Sequence, residues 1–236
     1  MSSAFGLSHI WSQGDAVTRA IMLLLLVMSV ATWVVIALKS LDIVRHKRQA
    51  RDIEQFWHSS DLQEGLSQLG SAARNPFAAV AVAGLEATEH HRQTSAQLHD
   101  RLDISDWLTR CLRNAIDDAT QRLQSSLVVL ASVGATAPFV GLLGTVWGIF
   151  HALVAIGSSG EASIDQVAGP IGETLIMTAL GLVVAIPAVL GYNALVRGNK
   201  FVVTRLDRFA HDLHAYFVTG ARVAGTAAPS APGRAA

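Results

Sequence analysis

Glu173 is the residue of this sequence most able to do chemistry, because it borders apolar surroundings. The segment 174–196 after it contains no Asp, Glu, Lys or Arg, and neither does the earlier segment 123–160. An ionisable side chain at membrane depth is costly, so it usually faces a helix-bundle interior or a wet cavity. A carboxylate can bind and release a proton there. A structural explanation stands beside this one: if a helix begins at Pro170, Glu173 lies in its first turn, where the helix dipole stabilises a carboxylate by about 0.3–1 kcal/mol.

Three threonines add hydroxyl groups to the same two apolar segments: Thr145, Thr174 and Thr178. A hydroxyl in a membrane helix usually donates to a carbonyl of its own helix, so position alone gives these residues no function. Glu173 and Thr178 are five residues apart, which is about 140° around an α-helix. They cannot share one narrow stripe, so a surface containing both must be broad or its helix irregular.

Glycines form a regular pattern in the first apolar segment. Gly134, Gly141 and Gly148 recur every seven residues, and Gly144 lies four residues before Gly148. In the second segment Gly181 belongs to another face of small and weakly polar residues. Small residues in one strip allow two membrane helices to approach closely. The pattern predicts that these glycines pack the two segments together as a hairpin.

Three segments are long and apolar enough to cross a bilayer, whose core requires about 20 helical residues. The chain has 236 residues, of which 51% are hydrophobic and 15% charged, whereas soluble proteins carry about 25% charged residues. We therefore predict an all-α, multi-pass membrane protein with transmembrane helices at 20–38, 126–157 and 169–196. The first is longer than the apolar core of a signal peptide, and its basic cluster follows it instead of preceding it.

Basic residues set the predicted orientation, because they stay on the cytoplasmic side of a membrane. A basic cluster follows the first span, only Arg19 precedes it, and the predicted turn 158–168 has no Lys or Arg. The amino terminus is therefore expected on the outer, periplasmic side and the carboxyl terminus in the cytoplasm. Four residues of the cluster are expected to meet anionic lipid headgroups: Arg45, Lys47, Arg48 and Arg51.

The segments outside the spans are predicted to be helical or disordered. Residues 1–19 are mildly amphipathic, which indicates a short periplasmic interfacial helix. Segment 39–125 is expected to form a cytoplasmic helical domain, in which Asn75-Pro76 is a helix-start signal. The second and third spans are expected to extend into the cytoplasm as helices. Segment 197–236 is expected to be cytoplasmic helix followed by a disordered tail rich in Ala, Pro and Gly.

Several functional classes find no support in the sequence. It contains no nucleophile–base pair, no phosphate-binding glycine loop ending in Lys-Ser/Thr and no CxxC motif. We therefore expect neither an enzyme nor a cofactor. His90, His91 and His99 lack a matching ligand set for a metal and are expected on a solvated helix face. The formal net charge is zero, and the basic and aromatic interleaving that binds nucleic acid is absent from the sequence.

The sequence resembles the ExbB/TolQ family, relatives of the flagellar stator protein MotA. The resemblance rests on residues 137–149, 172–188 and the pair Tyr192-Asn193. It implies an ExbB-like subunit of a proton-driven complex in a bacterial inner membrane, forming a homo-oligomeric ring, commonly of five copies. It also implies that the second and third helices line a central pore, with these polar residues on its proton pathway: Glu173, Thr145, Thr178 and Thr174.

The same resemblance implies partners. The pore would enclose transmembrane helices of a small single-span ExbD-like protein that carries an essential aspartate. The work would pass to a TonB-like protein, which opens outer-membrane receptors for iron-siderophores, haem or cobalamin.

Two alternatives stay open from the sequence. The nearer is a TolQ-like subunit of the Tol-Pal system, which acts in outer-membrane constriction and integrity. The run Ala31-Thr32-Trp33 and the pair Lys39-Ser40 favour the ExbB branch, whereas Phe56-Trp57 favours TolQ. The more distant alternative is a passive membrane scaffold in which Glu173 merely stabilises a helix end. Proton flux in the presence of the partner would separate the scaffold from the other two.

Overall fold

The computed structural model describes residues 15–94, 104–159 and 164–221. All regular structure in these residues is helical, which confirms the all-α prediction. The helices, in chain order, are α1 (Ala16–Trp57), α2 (Leu62–Leu69), α3 (Pro76–Thr94), α4 (Ile104–Gln124), α5 (Leu127–Ser159) and α6 (Ile164–Thr219).

Three helical stretches are long and apolar enough to cross a membrane: Ala16–Trp57, Ile104–Val154 and Thr174–Thr219. The prediction of three candidate spans is thereby confirmed by length and composition. The middle stretch combines α4 with most of α5, and a turn at Ser125 and Ser126 separates these two helices. Both α1 and α6 are longer than the predicted span they contain, because bilayer thickness limits the apolar segment and not the helix.

The ends of the helices differ from the predicted boundaries. α5 ends at Ser159 and α6 begins at Ile164, so helix occupies much of the predicted turn 158–168. The polarity of that segment does not by itself prevent helix formation. The predicted interfacial helix at 1–19 lies almost entirely outside the described residues, and so does the tail after residue 221.

The chain divides into two compact units. Unit 1 comprises Met1–Leu41 and Gln124–Arg197, and unit 2 comprises Asp42–Leu123 and Gly198–Ala236. The core of unit 1 is small and draws on α1, α5 and α6. Its buried residues are Ile21, Leu25, Val133, Ala137, Met177, Val184, Ala185 and Ala188. Only 17% of the most apolar part of α1 is buried within the chain, so most of this surface requires lipid or another chain as its neighbour.

Unit 2 is built around an aromatic core. Phe56 of α1 and Phe77 of α3 each meet Phe209 of α6 edge to face, with ring centroids 5.4 Å and 6.0 Å apart. Such contacts add about 0.5–1.5 kcal/mol to the burial of each ring pair. Aliphatic side chains of α4 and α6 complete the same core: Leu108, Leu112, Leu123, Val202, Leu206 and Leu213.

Asn75 joins the end of α2 to the start of α3. Its Oδ1 accepts a hydrogen bond from the Phe77 amide at 3.0 Å, and its Nδ2 donates to the Leu69 carbonyl oxygen at 2.8 Å. The side chain is buried, and α3 begins at the next residue, Pro76. Asn75, predicted from the sequence to cap the start of α3, therefore also caps the last carbonyl of α2.

We expect Asn75→Ala to lower the free energy of unfolding by about 1–3 kcal/mol, because it leaves a buried N–H and a buried carbonyl without partners. Asn75→Asp keeps the acceptor for Phe77 but sets a carboxylate oxygen against the Leu69 carbonyl oxygen, so it should also lower the free energy of unfolding. Thermal unfolding of the purified protein in detergent measures both. The matched control is Asn114→Ala at an exposed position of α4. Equal stability of the Asn75→Ala and Asn114→Ala proteins would contradict this role.

Candidate functional site

α5 and α6 come closest where Gly141 faces Gly181. A Cβ atom on Gly141 would lie 2.7 Å from the Met177 carbonyl oxygen, and one on Gly181 would lie 2.7 Å from the Ala137 carbonyl oxygen. Both obstructing atoms belong to the backbone, so no rotamer change can move them. The contact is reciprocal, and it requires glycine on both helices. Small residues allow this kind of close helix packing in membranes.

Three further glycines of α5 receive side chains from α6. Gly134 faces Val189, Gly144 faces Met177 and Gly148 faces Thr174. The partner numbers fall as the α5 numbers rise, so the two helices run antiparallel as a hairpin. Of these four α5 glycines, Gly141 alone meets another glycine, and the other three form a groove for larger residues.

α1 packs against the hairpin within unit 1. Its Ile36 side chain occupies the space beside Gly191 of α6, and Ile21 lies near Gly144 of α5. Between these two contacts Thr32 is buried, and its hydroxyl donates to the Met28 carbonyl at 2.9 Å. α1 therefore covers one part of the hairpin and leaves other parts exposed.

The three candidate threonines differ in how their hydroxyls are satisfied. Thr145 is buried and donates to the Leu142 carbonyl at 2.7 Å, and Thr174 is buried and donates to the Ile171 carbonyl at 2.8 Å. Thr178 is half-buried, and within the described part of the chain its hydroxyl makes no hydrogen bond. A hydroxyl without a partner is costly in hydrocarbon. Of the three, Thr178 is the one still able to bind water or another chain.

Glu173 lies in α6, and its side chain is outside the described residues. The position of Glu173 along α6 is nevertheless known, because the next residue, Thr174, packs against Gly148 of α5. α6 begins at Ile164, so Glu173 is in the third turn of the helix. The stabilisation of a carboxylate by the helix dipole falls off within the first turn. The explanation that depends on a helix starting at Pro170 therefore loses its basis.

Comparison with known proteins shows that the part of the chain containing this hairpin matches a protein family. Residues 72–208, more than half of the chain, match the MotA/TolQ/ExbB proton channel family. The chain belongs to this family. The matched range includes the Gly141–Gly181 contact, the three threonines and Glu173.

Two named relatives show the ExbB branch of the MotA/TolQ/ExbB family. The chain is 44% identical to the biopolymer transport protein ExbB of Xanthomonas campestris pv. campestris over 218 residues, which are 90% of this chain and 86% of that protein. It is 40% identical to the biopolymer transport protein ExbB of Neisseria meningitidis over 210 residues, 88% of this chain and 95% of that protein. These relatives confirm the ExbB-like interpretation of the sequence.

A TolQ protein of the same family is also similar. The Tol-Pal system protein TolQ of Pseudomonas aeruginosa is 34% identical over 211 residues, 86% of this chain and 89% of that protein. The lower identity makes TolQ the alternative within the MotA/TolQ/ExbB family.

The basic residues predicted to meet lipid headgroups lie on α1 in unit 2. All four are exposed, and none forms an ion pair within the part of the chain that the structure describes: Arg45, Lys47, Arg48 and Arg51. The Lys47 ammonium lies 5.5 Å from the centroid of the Phe201 ring, and the Arg205 guanidinium lies 5.4 Å from it. These charges are available to an anionic surface.

A contact between His151 and Asp15 was not predicted from the sequence. His151 Nε2 lies 3.1 Å from Asp15 Oδ2, with both side chains about half exposed. The contact ties the residue before α1 to α5, and it is an ion pair when His151 is protonated. Exposed ion pairs contribute about 0–1 kcal/mol. Periodicity cannot reveal such a pair, because its members are far apart in sequence and one of them precedes α1.

The residues described in the structure offer no group of three or more His, Cys, Asp or Glu side chains placed to hold a metal ion.

Proposed function

We propose that the chain is an ExbB-like subunit of an inner-membrane complex that converts the proton-motive force into mechanical work. The ExbB proteins at 44% and 40% identity support this function. The observation that carries it is the α5–α6 hairpin of a proton channel family, with Glu173 in the third turn of α6. That position borders the charge-free segment 174–196 of α6, and an ionisable group at membrane depth usually serves a pathway.

The proton path in this proposal uses Glu173 with Thr145, Thr174 and Thr178. Glu173 would bind and release the proton, because it is the only carboxylate in the predicted spans 126–157 and 169–196. Thr178 would face water or a partner helix, since its half-buried hydroxyl has no partner within the described residues. Thr145 and Thr174 would form the wall beside it, with their hydroxyls held by their own helices.

A second chain would supply the further proton-binding groups of this path. The two predicted spans contain no Lys or Arg and no second carboxylate, and their one histidine, His151, lies 3.1 Å from Asp15 through its Nε2 atom. A homo-oligomer, with five copies around a pore, would bring several Glu173 residues together. A single-span ExbD-like protein inside that pore would supply a further carboxylate. A TonB-like protein would carry the work to outer-membrane receptors for iron-siderophores, haem or cobalamin.

The exposed apolar surface of the hairpin supports an assembly of this kind. Large apolar side chains of α5 and α6 are more than half exposed in the single chain, among them Phe139, Leu142, Val146, Leu175, Val183 and Ile186. Lipid can cover part of this surface, and neighbouring copies and the inserted helix would cover the rest. One charge crossing the membrane releases about 2.3 kcal/mol per 100 mV, so a few protons supply enough energy to move a helix.

The proposed orientation places the amino terminus in the periplasm and the carboxyl terminus in the cytoplasm. The exposed basic residues that follow the first apolar segment support it, because such residues remain on the cytoplasmic side. The extensions of the second and third spans would then lie in the cytoplasm. Arg45, Lys47, Arg48 and Arg51 would meet anionic headgroups of the inner leaflet.

A TolQ-like function in outer-membrane constriction is the second candidate, favoured by the 34% identity to the TolQ of Pseudomonas aeruginosa. A passive scaffold is less well supported, because it leaves the membrane carboxylate without a purpose once the helix-dipole explanation has lost its basis.

Rescue of bacterial strains that lack their own energising proteins tests the proposal. The chain would be expressed with its own single-span partner, and iron-siderophore uptake and detergent resistance would be scored together. Restored uptake is the expected result. Restored detergent resistance without uptake would assign the chain to the TolQ function. If neither uptake nor detergent resistance is restored at normal membrane expression, both the ExbB-like and the TolQ-like functions are overturned.

A further inference from the structure

Polar contacts join α4 to α6 at both ends of α4 within unit 2. Near its start, Ser105 Oγ lies 3.1 Å from His214 Nε2. Near its end, the Leu123 carbonyl accepts a hydrogen bond from Asn199 Nδ2 at 2.9 Å. Leucines of both helices fill the core between these contacts. α4 and the carboxyl-terminal part of α6 are therefore held together as one antiparallel pair.

The Asn199 contact lies beside a break in the chain of helices. α4 ends at Gln124, Ser125 and Ser126 form a turn, and α5 begins at Leu127. The last four carbonyls of a helix have no donor from their own helix, and a buried one needs a partner. Leu123 and Asn199 are both 5% exposed, so water is a poor substitute for the amide. Asn199 therefore completes the end of α4 from a position 76 residues away.

α1 meets α6 at the adjacent residue. A Cβ atom on Gly198 would lie 2.7 Å from Ile43 Cδ1, and Ile43 is buried. At Gly198 and Asn199 one helix thus contacts α1 through packing and α4 through a hydrogen bond. α6 is continuous from Ile164 to Thr219, so this contact point and the Glu173 position belong to one unbroken helix.

We propose that Asn199 is a positioning residue that couples movement of α6 to α4. The helical hydrogen bonding between α4 and α5 is interrupted at Ser125 and Ser126, the joint between these two helices. The hydrogen bond from Asn199 holds the α4 side of that joint to α6. A displacement of α6, which carries the proposed proton-binding Glu173, is then transmitted to α4 instead of being absorbed at the joint. The force that moves α6 in this role rests on the proposed function. The hydrogen bond from Asn199 to Leu123 is independent of the proposed function.

The variant that tests the coupling is Asn199→Leu, which keeps the branched shape of the side chain and removes the donor. Asn199→Gln retains an amide donor on a longer side chain and should restore part of the lost behaviour. The matched control is Asn114→Leu, the same substitution at an exposed position of α4. All three would be prepared as the complex with the chain's own single-span partner.

Two measurements keep this inference separate from the proposed function. Amide hydrogen exchange of peptides covering residues 123–130 reports on the joint whether or not the complex transports anything. We expect Asn199→Leu to accelerate this exchange by about tenfold, because a buried carbonyl loses its partner. Unchanged exchange would overturn the inference even if the wild-type protein restores uptake.

The second measurement compares proton flux in proteoliposomes with iron-siderophore uptake in the rescued strain. We expect Asn199→Leu to keep proton flux near the wild-type rate and to lose most of the uptake, with partial recovery in Asn199→Gln. A merely structural role would lower both in proportion to the amount of folded complex, and that outcome would overturn the coupling role. Wild-type protein without uptake would reject the proposed function, and the exchange measurement would still decide whether Asn199 holds the joint.

Discussion

Glu173→Gln is expected to reduce coupled uptake to the level of a strain that lacks the chain, while the membrane complex keeps its amount and size. The amide has nearly the shape of the carboxyl group and can form hydrogen bonds, but it cannot bind and release a proton. Glu173 is the only carboxylate in the predicted spans 126–157 and 169–196, so no neighbour in this chain can replace it there. Uptake of an iron-siderophore in the rescued strain, with native gels of the solubilised membranes, measures both quantities.

Asp165→Asn is the matched control for this prediction. It makes the same change from carboxylate to amide on the same helix, close to the α6 start at Ile164 and before the apolar segment. Uptake should remain at the wild-type level. Glu173→Ala should lose uptake as Glu173→Gln does, because the missing proton exchange and not the missing volume is responsible. Wild-type uptake in Glu173→Gln would remove the residue from the proton path.

A loss of assembly in Glu173→Gln would have a different meaning. It would show that the carboxylate holds the helices together, which is the scaffold interpretation. The position of the residue argues against this outcome, because the helix-dipole stabilisation of about 0.3–1 kcal/mol is confined to the first turn and Glu173 lies in the third.

The architecture of the membrane part was largely predictable from the sequence. Charge-free segments of sufficient length predict spanning helices because the bilayer core sets a minimum length. The structure contains three such stretches. Helix ends were less predictable, since α6 begins at Ile164, within the predicted turn. The helix-start signal at Asn75-Pro76 was local, and α3 begins at Pro76.

The contacts between helices were not predictable from spacing alone. The seven-residue glycine pattern indicates a close-packing face but does not say which residue opposes each glycine. In the structure the opposing residues are Val189, Gly181 and Thr174, three quite different neighbours. The hydrogen bond from Asn199 to Leu123 also left no sequence signal, because its partners are 76 residues apart and one of them is a backbone carbonyl.

Gly141→Ala and Gly181→Ala are expected to have the largest effects on stability among the glycine variants of the hairpin. Each added Cβ would meet a backbone carbonyl oxygen at 2.7 Å and a backbone Cα at 3.1 Å. The helices must separate to admit it. Overpacking of this kind costs about 1–3 kcal/mol, and here it also displaces the helix that carries Glu173. Thermal unfolding in detergent and the yield of assembled complex measure the cost.

Gly144→Ala and Gly157→Ala provide a graded comparison on the same helix, α5. A Cβ on Gly144 would lie 3.0 Å from Met177 Cβ and 3.2 Å from Met177 Cγ, which is milder crowding than the backbone contact of 2.7 Å at Gly141. A Cβ on Gly157 would meet nothing within 4 Å, and alanine favours helix by about 1 kcal/mol over glycine. The expected order of stability is therefore Gly157→Ala, then Gly144→Ala, then Gly141→Ala.

The double variant Gly141→Ala with Gly181→Ala separates local crowding from a shared contact. The two glycines face each other, so the first substitution already forces the helices apart and makes room for part of the second. The cost of the double variant should thus be smaller than the sum of the two single costs. Strictly additive costs would mean that each alanine is accommodated separately, and the reciprocal crossing would then not be what holds α5 and α6 together. If the costs are subadditive and uptake is lost, the short distance between α5 and α6 at Gly141 and Gly181 is required to place Glu173 for its function.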